Sequence, residues 1–253
     1  MKSRKEDLRE VYVWEMPVRI YHWLNALCIV VLCITGFIIA NPPGILSQTE
    51  ASFSYWFGTV RFVHFVAAFV FLFNFAFRIY WGFAGNRFAK WDNYIPLRKA
   101  QWRDVWRVIK TDVLMVRNAP DPSIGHNTVA SLSYFLLFLA FLAQCLTGFA
   151  LYSQTSTVSF LPKLFTWILP LLGGEMNVRI VHNLLMWFFI IFAVVHVYIV
   201  LYHDYIERHS LLSSMIGGWK DIPEAVAAAE EKAEMKEKQG STGTPACARE
   251  SRQ

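Results

Sequence analysis

Four long apolar stretches dominate this chain and limit what it can fold into. They lie near residues 20–40, 57–81, 128–152 and 178–203, and each contains a long run without Asp, Glu, Lys or Arg. A helix needs roughly 20 mainly apolar residues to cross the hydrocarbon core of a bilayer. Backbone groups in lipid must bond within their own segment, and no β-barrel alternation is visible. The sequence therefore predicts an all-α fold, an integral membrane four-helix bundle.

The composition agrees with a membrane protein and excludes several other classes. Of the 253 residues, 55% are hydrophobic and only 17% are charged, whereas about 25% of the residues in a soluble domain are charged. We therefore exclude a soluble enzyme, a nucleic-acid-binding protein and a secreted scaffold. A fifth apolar run, residues 160–172, is interrupted by Pro162 and Pro170. It is too short to span a bilayer, so we expect it to lie at the membrane interface.

The basic residues predict which ends of the spans face the cytoplasm. Outside the spans, Lys and Arg number five in residues 1–19, eight in residues 82–126 and six from Lys220 onward, whereas the opposite side has Lys163 alone. Positive charge stays on the cytoplasmic side during insertion into a bacterial inner membrane. We therefore expect both termini to be cytoplasmic. The expected units are an N-terminal segment, a four-helix membrane domain and a mobile tail, at residues 1–16, 17–219 and 220–253.

Four of the seven histidines lie well inside the apolar spans, where an ionisable side chain is costly and is a candidate functional residue; a fifth, His203, is at the very end of the fourth span. His182 and His196 share the fourth span. Their sequence separation places them on one helix face at two depths, about 21 Å apart along the axis. Because the spans alternate in direction, His64 of the second span should meet His182 on the outer side. His22 of the first span should meet His196 on the cytoplasmic side.

Two facing imidazoles at each level suit a haem with bis-histidine ligation, in which the flat macrocycle lies between two helices. Both axial positions of such an iron are closed, so its task is electron transfer. No Cys-x-x-Cys-His sequence is present, which indicates non-covalent haem b. We therefore expect two haem b groups. The four cysteines lack the spacing of iron–sulfur ligands; they are Cys28, Cys33, Cys145 and Cys247.

Other roles for these histidines stay open. A single histidine in a membrane helix can simply bond a neighbouring carbonyl group. Imidazole also binds zinc or copper, and a set of histidines could relay protons in a transporter. The four spans contain no acidic residue that would complete a bare metal site or a proton pathway.

An arginine precedes three of these histidines by about one helical turn, at Arg19, Arg61 and Arg179. The offset places each guanidinium on roughly the same helix face as its histidine. Guanidinium groups bind carboxylates well, so we expect these arginines to pair with haem propionates at the membrane boundary. The alternative is that they extend to lipid phosphates.

A glycine-containing sequence recurs near the outer ends of the first and third spans, as Cys-Ile-Thr-Gly-Phe at residues 33–37 and Cys-Leu-Thr-Gly-Phe at residues 145–149. Gly36 and Gly148 should therefore lie at the depth of the outer haem. A missing side chain allows either a neighbouring helix or a porphyrin ring to approach closely. The sequence does not distinguish these two explanations.

Two of these segments resemble the b-type cytochrome subunit of membrane-bound nickel–iron hydrogenases. Residues 19–24, Arg-Ile-Tyr-His-Trp-Leu, continuing through Leu32 to Thr35 and Gly36, are similar to the first-helix signature of that family. Residues 179–182, Arg-Ile-Val-His, are similar to its fourth-helix signature, although Ile180 and Asn183 differ from the commoner residues there. The resemblance covers about residues 10–220 and leaves out the C-terminal tail.

The resemblance implies four transmembrane helices with two haems b, ligated by His22, His64, His182 and His196. It also implies an outward-facing partner, a hydrogenase with a large nickel–iron subunit and a small iron–sulfur subunit, which this chain would anchor to the bilayer. Electrons from hydrogen would enter at the outer haem and cross to the cytoplasmic haem. There they would reduce a membrane quinone.

Related cytochromes of formate dehydrogenases place a quinone between the inner haem and the loop before the third helix. By that resemblance we expect Gly125, His126 and Asn127 to contribute to a quinone-reducing site. Asn127 also fits the position of a cap for the third helix. His203 and His209 are expected to be exposed and solvated. We expect the chain to be an electron-transfer subunit and not an enzyme by itself.

Three other functions compete with this interpretation. The first is a cytochrome b of formate dehydrogenase or thiosulfate reductase type, with the same arrangement of histidines. The second is the ascorbate-linked cytochrome b561 type, in which each ligand-bearing helix carries two histidines. The third is a proton or metal transporter without a cofactor.

Overall fold

Residues 8–44, 55–86, 128–156, 160–206, 211–224 and 228 are described by a computed structural model. These segments form long apolar helices, short helices and two strands. The elements are β1 (Leu8–Tyr12), α1 (Met16–Ala40), α2 (Trp56–Ala84), α3 (Thr128–Ser153), α4 (Phe160–Phe165), α5 (Ile168–Leu171), α6 (Glu175–Ile206), α7 (Leu211–Gly217) and β2 (Trp219–Pro223).

Four helices in the described part of the chain, α1, α2, α3 and α6, are long and apolar enough to cross a membrane. With 25 residues, α1 is about 37 Å long at a rise of about 1.5 Å per residue, which exceeds a hydrocarbon core of about 30 Å. Pro17 lies in the first turn of α1, where a missing N–H costs nothing. The predicted four-helix membrane fold is confirmed, and the predicted spans agree with these helices to within a few residues.

The bundle is built from two helix hairpins. α1 packs along α2, and α3 packs along α6, whereas α6 makes few contacts with α1 and α3 makes few with α2. Phenylalanines bridge the hairpins at mid-height. Phe141 of α3 meets the edge of Phe71 of α2 at a centroid distance of 5.1 Å, across the hairpins, and stacks within its own hairpin on Phe189 of α6 at 5.0 Å. Aromatic pairs of this kind contribute about 0.5–1.5 kcal/mol beyond their buried area.

The outward faces of the helices carry large apolar side chains that the rest of the described chain does not cover. On α6, Leu184, Ile191 and Tyr198 are 63%, 62% and 67% exposed. Their spacing of two helical turns places them on one face. In water such a face would be costly, so it is suited to contact with lipid tails.

A two-stranded antiparallel sheet lies at the end of the bundle where α1 begins. It pairs Leu8 with Pro223 at one end and Tyr12 with Trp219 at the other. Gly218, in the left-handed region with φ of 90°, turns the chain from α7 into β2. Sequence analysis did not predict these strands, because both are short and neither alternates clearly between apolar and polar residues. The expected boundary at residues 219 and 220 falls inside β2.

Glu15 ties the start of α1 to the end of α2. Its Oε2 accepts hydrogen bonds from Trp81 Nε1 and from the backbone N–H of Asn86, both at 3.0 Å. The side chain of Asn86 in turn donates to the carbonyl oxygen of Val13 at 3.1 Å. This network fixes the sheet-bearing end of the first hairpin.

The fifth apolar run does not span the bundle, as its length predicted. It forms α4 and α5, of six and four residues. Ile168 packs with Ala150 of α3 and Val178 of α6 in a buried cluster. Gly174, with φ of 115°, precedes the first residue of α6. The short helices therefore connect the second hairpin at the end opposite the sheet.

Candidate cofactor-binding site

The four intramembrane histidines lie at two levels of the bundle. His22 on α1 and His196 on α6 are near the end that carries the sheet, and we call them the sheet-proximal pair. His64 on α2 and His182 on α6 lie toward the opposite end, and we call them the sheet-distal pair. All four residues are partly buried. Phe189 lies midway between the two histidines of α6, so its stack on Phe141 separates the two levels.

The sheet-proximal pair is enclosed by aromatic rings. The ring centroids of His22 and His196 are 6.3 Å apart, with an angle of 55° between the ring planes. Phe192 stacks on His196 at 5.5 Å with an angle of only 14°. Trp23 meets His22 edge to face at 5.2 Å. His22 Nδ1 is buried and has no hydrogen-bond partner among the described residues.

The sheet-distal pair is held by hydrogen bonds from within each hairpin. Thr35 Oγ1 on α1 lies 2.8 Å from His64 Nδ1 on α2. Thr147 Oγ1 on α3 lies 2.9 Å from His182 Nδ1 on α6, and Gln144 Nε2 lies 3.4 Å from His182 Nε2. A Cβ atom added at Gly36 would lie 3.4 Å from His64 Cε1 and 3.6 Å from Sδ of Met186, which is one turn after His182, so the two imidazoles lie at one level. Each hairpin therefore orients one imidazole of this level.

Gly36 and Gly148 make room for these same imidazoles. A Cβ atom added at Gly36 would lie 3.4 Å from His64 Cε1, and one added at Gly148 would lie 3.0 Å from His182 Cε1. Sequence analysis left open whether a helix or a porphyrin ring lies against these glycines. Within the described chain, the nearest groups are the histidine rings of the neighbouring helices.

Arg19 lies one turn before His22 and faces the short helix α7. Its Nη1 donates a hydrogen bond to the carbonyl oxygen of Ile216, and Trp23 Nε1 donates to the carbonyl of Met215 at 3.1 Å. Arg19 Nε is buried and has no hydrogen-bond partner in the described part of the chain. This N–H remains able to bind an anion such as a carboxylate.

The other two arginines have partners of different kinds. The guanidinium carbon of Arg61 lies 5.8 Å from the ring centroid of Phe65. Arg179 forms an ion pair with Glu175 one turn earlier, with Nη2 and Oε1 2.6 Å apart. Both members of that pair are about half exposed, so the pair contributes at most about 1 kcal/mol to stability. Arg179 can therefore exchange its partner at little cost.

The dimensions of the site fit a metal held between two imidazoles. A nitrogen bound to a first-row metal lies about 2 Å from it and the ring centre about 1 Å further, so imidazoles on opposite sides of one metal have centroids about 6 Å apart. The 6.3 Å separation of His22 and His196 agrees with this value. α6 and α1 share few close backbone contacts. These residues fit a haem with bis-histidine ligation.

The predicted quinone site and the two remaining cytoplasmic histidines cannot be compared with the described structure. The expected quinone residues Gly125, His126 and Asn127 lie outside the described residues, as does His209. Nothing is described of the side chain of His203. Among the described residues, no group of three or more His, Cys, Asp or Glu could hold a bare metal ion.

Thr35 and Thr147 are the site residues that sequence reasoning missed. Both threonines stand in the repeated Cys-x-Thr-Gly-Phe sequence, which drew attention to the glycines alone. The repeat itself was the available signal, because a hydroxyl group recurs beside each glycine at the same depth. Its partner could not be named from the sequence, since the threonine and its histidine lie on different helices.

Membrane-length helices that bring histidines together at two levels are typical of b-type membrane cytochromes. The comparison with protein families agrees with this class. Residues 13–218 match the family described as prokaryotic cytochrome b561, and the chain belongs to this family. It is therefore a membrane electron-transfer protein of the cytochrome b type, with b-type haem as its cofactor. A transporter without a cofactor is excluded.

Curated relatives cover most of this chain and bear one kind of name. A protein of Azotobacter vinelandii named "Probable Ni/Fe-hydrogenase B-type cytochrome subunit" is 39% identical over 226 residues, which are 87% of this chain and 91% of the relative. A protein of the same name from Cupriavidus necator is 38% identical, covering 85% and 88%. The "Probable Ni/Fe-hydrogenase 1 B-type cytochrome subunit" of Escherichia coli K12 is 34% identical, covering 87% and 94%. The resemblance seen in the sequence is thus confirmed.

The family name shares the term b561 with the ascorbate-linked cytochromes considered as a rival. In that rival, each ligand-bearing helix carries two histidines. In this chain, α1 and α2 each carry one intramembrane histidine and α6 carries two. The distribution of histidines therefore differs from that of the ascorbate-linked type.

Proposed function

We propose that this chain is the di-haem b subunit that anchors a nickel–iron hydrogenase to the bacterial inner membrane and passes electrons from hydrogen oxidation to the quinone pool. The observation that carries the proposal is the approach of His22 and His196 from two helices, with ring centroids 6.3 Å apart, a separation suited to one iron between them. The printed names of three relatives indicate the partner, since all three are hydrogenase cytochrome subunits.

In this proposal the sheet-proximal pair holds one haem and the sheet-distal pair holds the other. A haem bound at each level by these histidines would supply reversible one-electron chemistry. The protein's own contribution is to hold four imidazoles at two levels and to exclude water between them. The stacked rings of Phe141 and Phe189 serve this second role, because they fill the middle of the bundle.

The arginines and glycines support the cofactors in different ways. Arg19, whose buried Nε has no partner among the described residues, is the arginine best suited to bind a propionate of the sheet-proximal haem. Arg61 and Arg179 have the same role at the sheet-distal level, where Arg179 must leave its exposed pairing with Glu175. The glycines at 36 and 148 keep the space that the imidazoles need.

The direction of electron transfer follows from the expected orientation of the chain. If both termini are cytoplasmic, the sheet-proximal pair lies near the cytoplasm and the sheet-distal pair near the outer surface. The pairing of β1 with β2 supports a common side for the two ends of the described chain. Electrons from an outer hydrogenase then enter at the sheet-distal level and leave from the sheet-proximal level.

The partners are assigned by the same reasoning. The small iron–sulfur subunit of the hydrogenase contacts the outer side of this chain, and the large nickel–iron subunit binds to the small subunit. On the cytoplasmic side, a membrane quinone accepts electrons near His196, with Gly125, His126 and Asn127 as its binding residues. These three residues offer hydrogen-bonding groups for quinone oxygens.

The experiment that tests this function uses the complex purified from membranes in mild detergent. We expect two haems b per chain, nickel in the co-purified subunits, and full reduction of the haem bands on addition of hydrogen. A quinone analogue should then reoxidise the haems. In the His64→Ala/His182→Ala double variant, hydrogen should no longer reduce the remaining haem, although the hydrogenase still reduces a soluble dye.

Other results would replace the proposal with a defined alternative. Co-purification with a molybdenum-cofactor protein would indicate a cytochrome of formate dehydrogenase or thiosulfate reductase type. A single haem per chain would contradict the two-level arrangement. Haems that hydrogen reduces but no quinone reoxidises would remove the quinone from the scheme.

A further inference from the structure

Two threonine hydroxyl groups at the sheet-distal level have their single protons already committed. Thr35 Oγ1 lies 2.7 Å from the carbonyl oxygen of Val31, one turn earlier in α1. A carbonyl oxygen can only accept, so the threonine hydroxyl must be the donor in this bond. The same oxygen lies 2.8 Å from His64 Nδ1 and can there act only as an acceptor. His64 Nδ1 must therefore carry a proton.

The second hairpin repeats this arrangement. Thr147 Oγ1 lies 2.8 Å from the carbonyl oxygen of Ala143 and 2.9 Å from His182 Nδ1. The hydroxyl proton is again directed to the carbonyl group one turn earlier, and the imidazole must donate from Nδ1. Gln144 Nε2 lies 3.4 Å from His182 Nε2, on the nitrogen that an iron would bind, so this amide must turn away when a haem is bound. Two separate helix pairs thus impose the same proton position.

A neutral imidazole has one N–H group, so a proton held on Nδ1 leaves the lone pair on Nε2. The lone pair is what a metal ion binds, and the hydrogen bond of the other nitrogen selects the tautomer and the ring orientation. We propose that Thr35 and Thr147 are positioning residues that fix His64 and His182 in the Nδ1–H tautomer and direct both Nε2 atoms to the iron of one haem. The proposal deepens the proposed function and rests on haem binding at this level.

Each threonine acts together with the glycine that follows it. The threonine oxygen holds Nδ1, while the missing side chain of the glycine leaves room for Cε1 of the same ring, at 3.4 Å for Gly36 and 3.0 Å for Gly148 from a would-be Cβ atom. The two contacts restrict both the position and the rotation of the ring. The repeated Thr-Gly dipeptide therefore positions one imidazole ring in each hairpin.

The hydrogen bond also affects the iron. A histidine that donates from Nδ1 to a fixed acceptor is a stronger electron donor through Nε2, which favours ferric iron over ferrous iron. Removal of the acceptor should therefore raise the midpoint potential of the haem at the sheet-distal level. The haem at the sheet-proximal level should keep its potential, because neither threonine contacts His22 or His196.

The test replaces the hydroxyl by a methyl group of similar size, in Thr35→Val and Thr147→Val, and measures both haem potentials by spectroelectrochemistry on the purified complex. We expect a positive shift of one haem in each variant. The shifted haem should be the one that is lost in His64→Ala or His182→Ala. Thr35→Ser and Thr147→Ser keep the hydroxyl group and should return the potential toward that of the wild type.

A matched control is Thr59→Val. Thr59 Oγ1 donates to the carbonyl of Tyr55 at 3.1 Å, in the same way as the two site threonines, but Thr59 is exposed at the start of α2. This variant loses a similar backbone bond away from the histidines. It should leave both haem potentials unchanged.

The possible results separate this inference from the proposed function. If the wild-type complex lacks two haems, the proposed function fails before any threonine variant is compared. If two haems are present and both valine variants keep wild-type potentials, the positioning role is wrong. It is also wrong if the serine variants behave like the valine variants, or if the other haem shifts. Loss of the sheet-distal haem in the valine variants alone, with recovery in the serine variants, supports it.

Discussion

The two histidine levels of this bundle have similar imidazole pairs in different surroundings. At the sheet-distal level, His64 and His182 are each hydrogen-bonded through Nδ1 to a threonine. At the sheet-proximal level, the described contacts of His196 include a stack on Phe192, and His22 Nδ1 has no partner among the described residues. Both levels have a pair of imidazoles, but the hydrogen bonding around the two pairs differs.

This difference in hydrogen bonding affects the energy with which each pair of imidazoles is held in place. A buried polar group without a partner costs about 1–3 kcal/mol, whereas an aromatic contact contributes about 0.5–1.5 kcal/mol. The sheet-distal rings are held by directed hydrogen bonds, whereas the described contacts of the sheet-proximal rings are aromatic packing. Two haems bound at these levels should therefore differ in midpoint potential.

The largest expected effect comes from removing the histidines themselves. His64→Ala and His182→Ala should each lose the same haem, and His22→Ala and His196→Ala should each lose the other. Haem content should fall to about half in every single variant, because one imidazole does not replace a bis-histidine pair. The measurement is the haem-to-protein ratio together with the reduced-minus-oxidised spectrum.

Combined variants test the same pairing rule more strictly. His64→Ala/His182→Ala should keep one haem, whereas His182→Ala/His196→Ala should keep none. Loss of one common haem by His22→Ala and His182→Ala would contradict the two levels, because these residues lie on different ones.

A smaller effect is expected from replacing Gly36 or Gly148 by alanine at the sheet-distal level. Gly148→Ala places a Cβ atom 3.0 Å from His182 Cε1, closer than the 3.4 Å at His64 for Gly36→Ala. Overpacking of this kind typically costs about 1–3 kcal/mol. We expect Gly148→Ala to weaken retention of the sheet-distal haem more than Gly36→Ala does, measured as haem loss during thermal denaturation.

The matched control for the glycines is Gly58→Ala, whose added Cβ atom would meet nothing within 4 Å. Alanine also favours a helix over glycine by about 1 kcal/mol, so this variant should be neutral or slightly more stable. If Gly148→Ala is also neutral, the close approach of Gly148 to His182 is not needed for haem retention.

The smallest effect concerns the sheet-proximal level. Phe192→Leu keeps an apolar side chain but removes the ring that stacks on His196 at 5.5 Å. The stability loss should be up to about 1 kcal/mol, seen as a lower temperature of release for the sheet-proximal haem alone. Phe73→Leu is the control, since Phe73 is 70% exposed on α2. Equal effects of the two variants would show that the stack does not distinguish the levels.

The histidines were accessible to sequence reasoning because depth in a membrane helix follows from residue number. Their two levels needed only the helical rise and the alternation of the spans. The spacing of one turn between Glu175 and Arg179 is compatible with their ion pair, but the sequence does not distinguish this partner from a carboxylate of a cofactor. The β1–β2 sheet was missed since its strands are distant in sequence and carry no clear alternation.

The sequence alone determined the fold class, the number of spans and the set of intramembrane histidines, because hydropathy and helical periodicity are properties of a single segment. The tertiary structure decided which groups surround each imidazole. The bond between Thr35 and His64 depends on the rotation of α1 against α2 and on the rotamers of both side chains. Those quantities are set by packing across the bundle, and no single helix contains them.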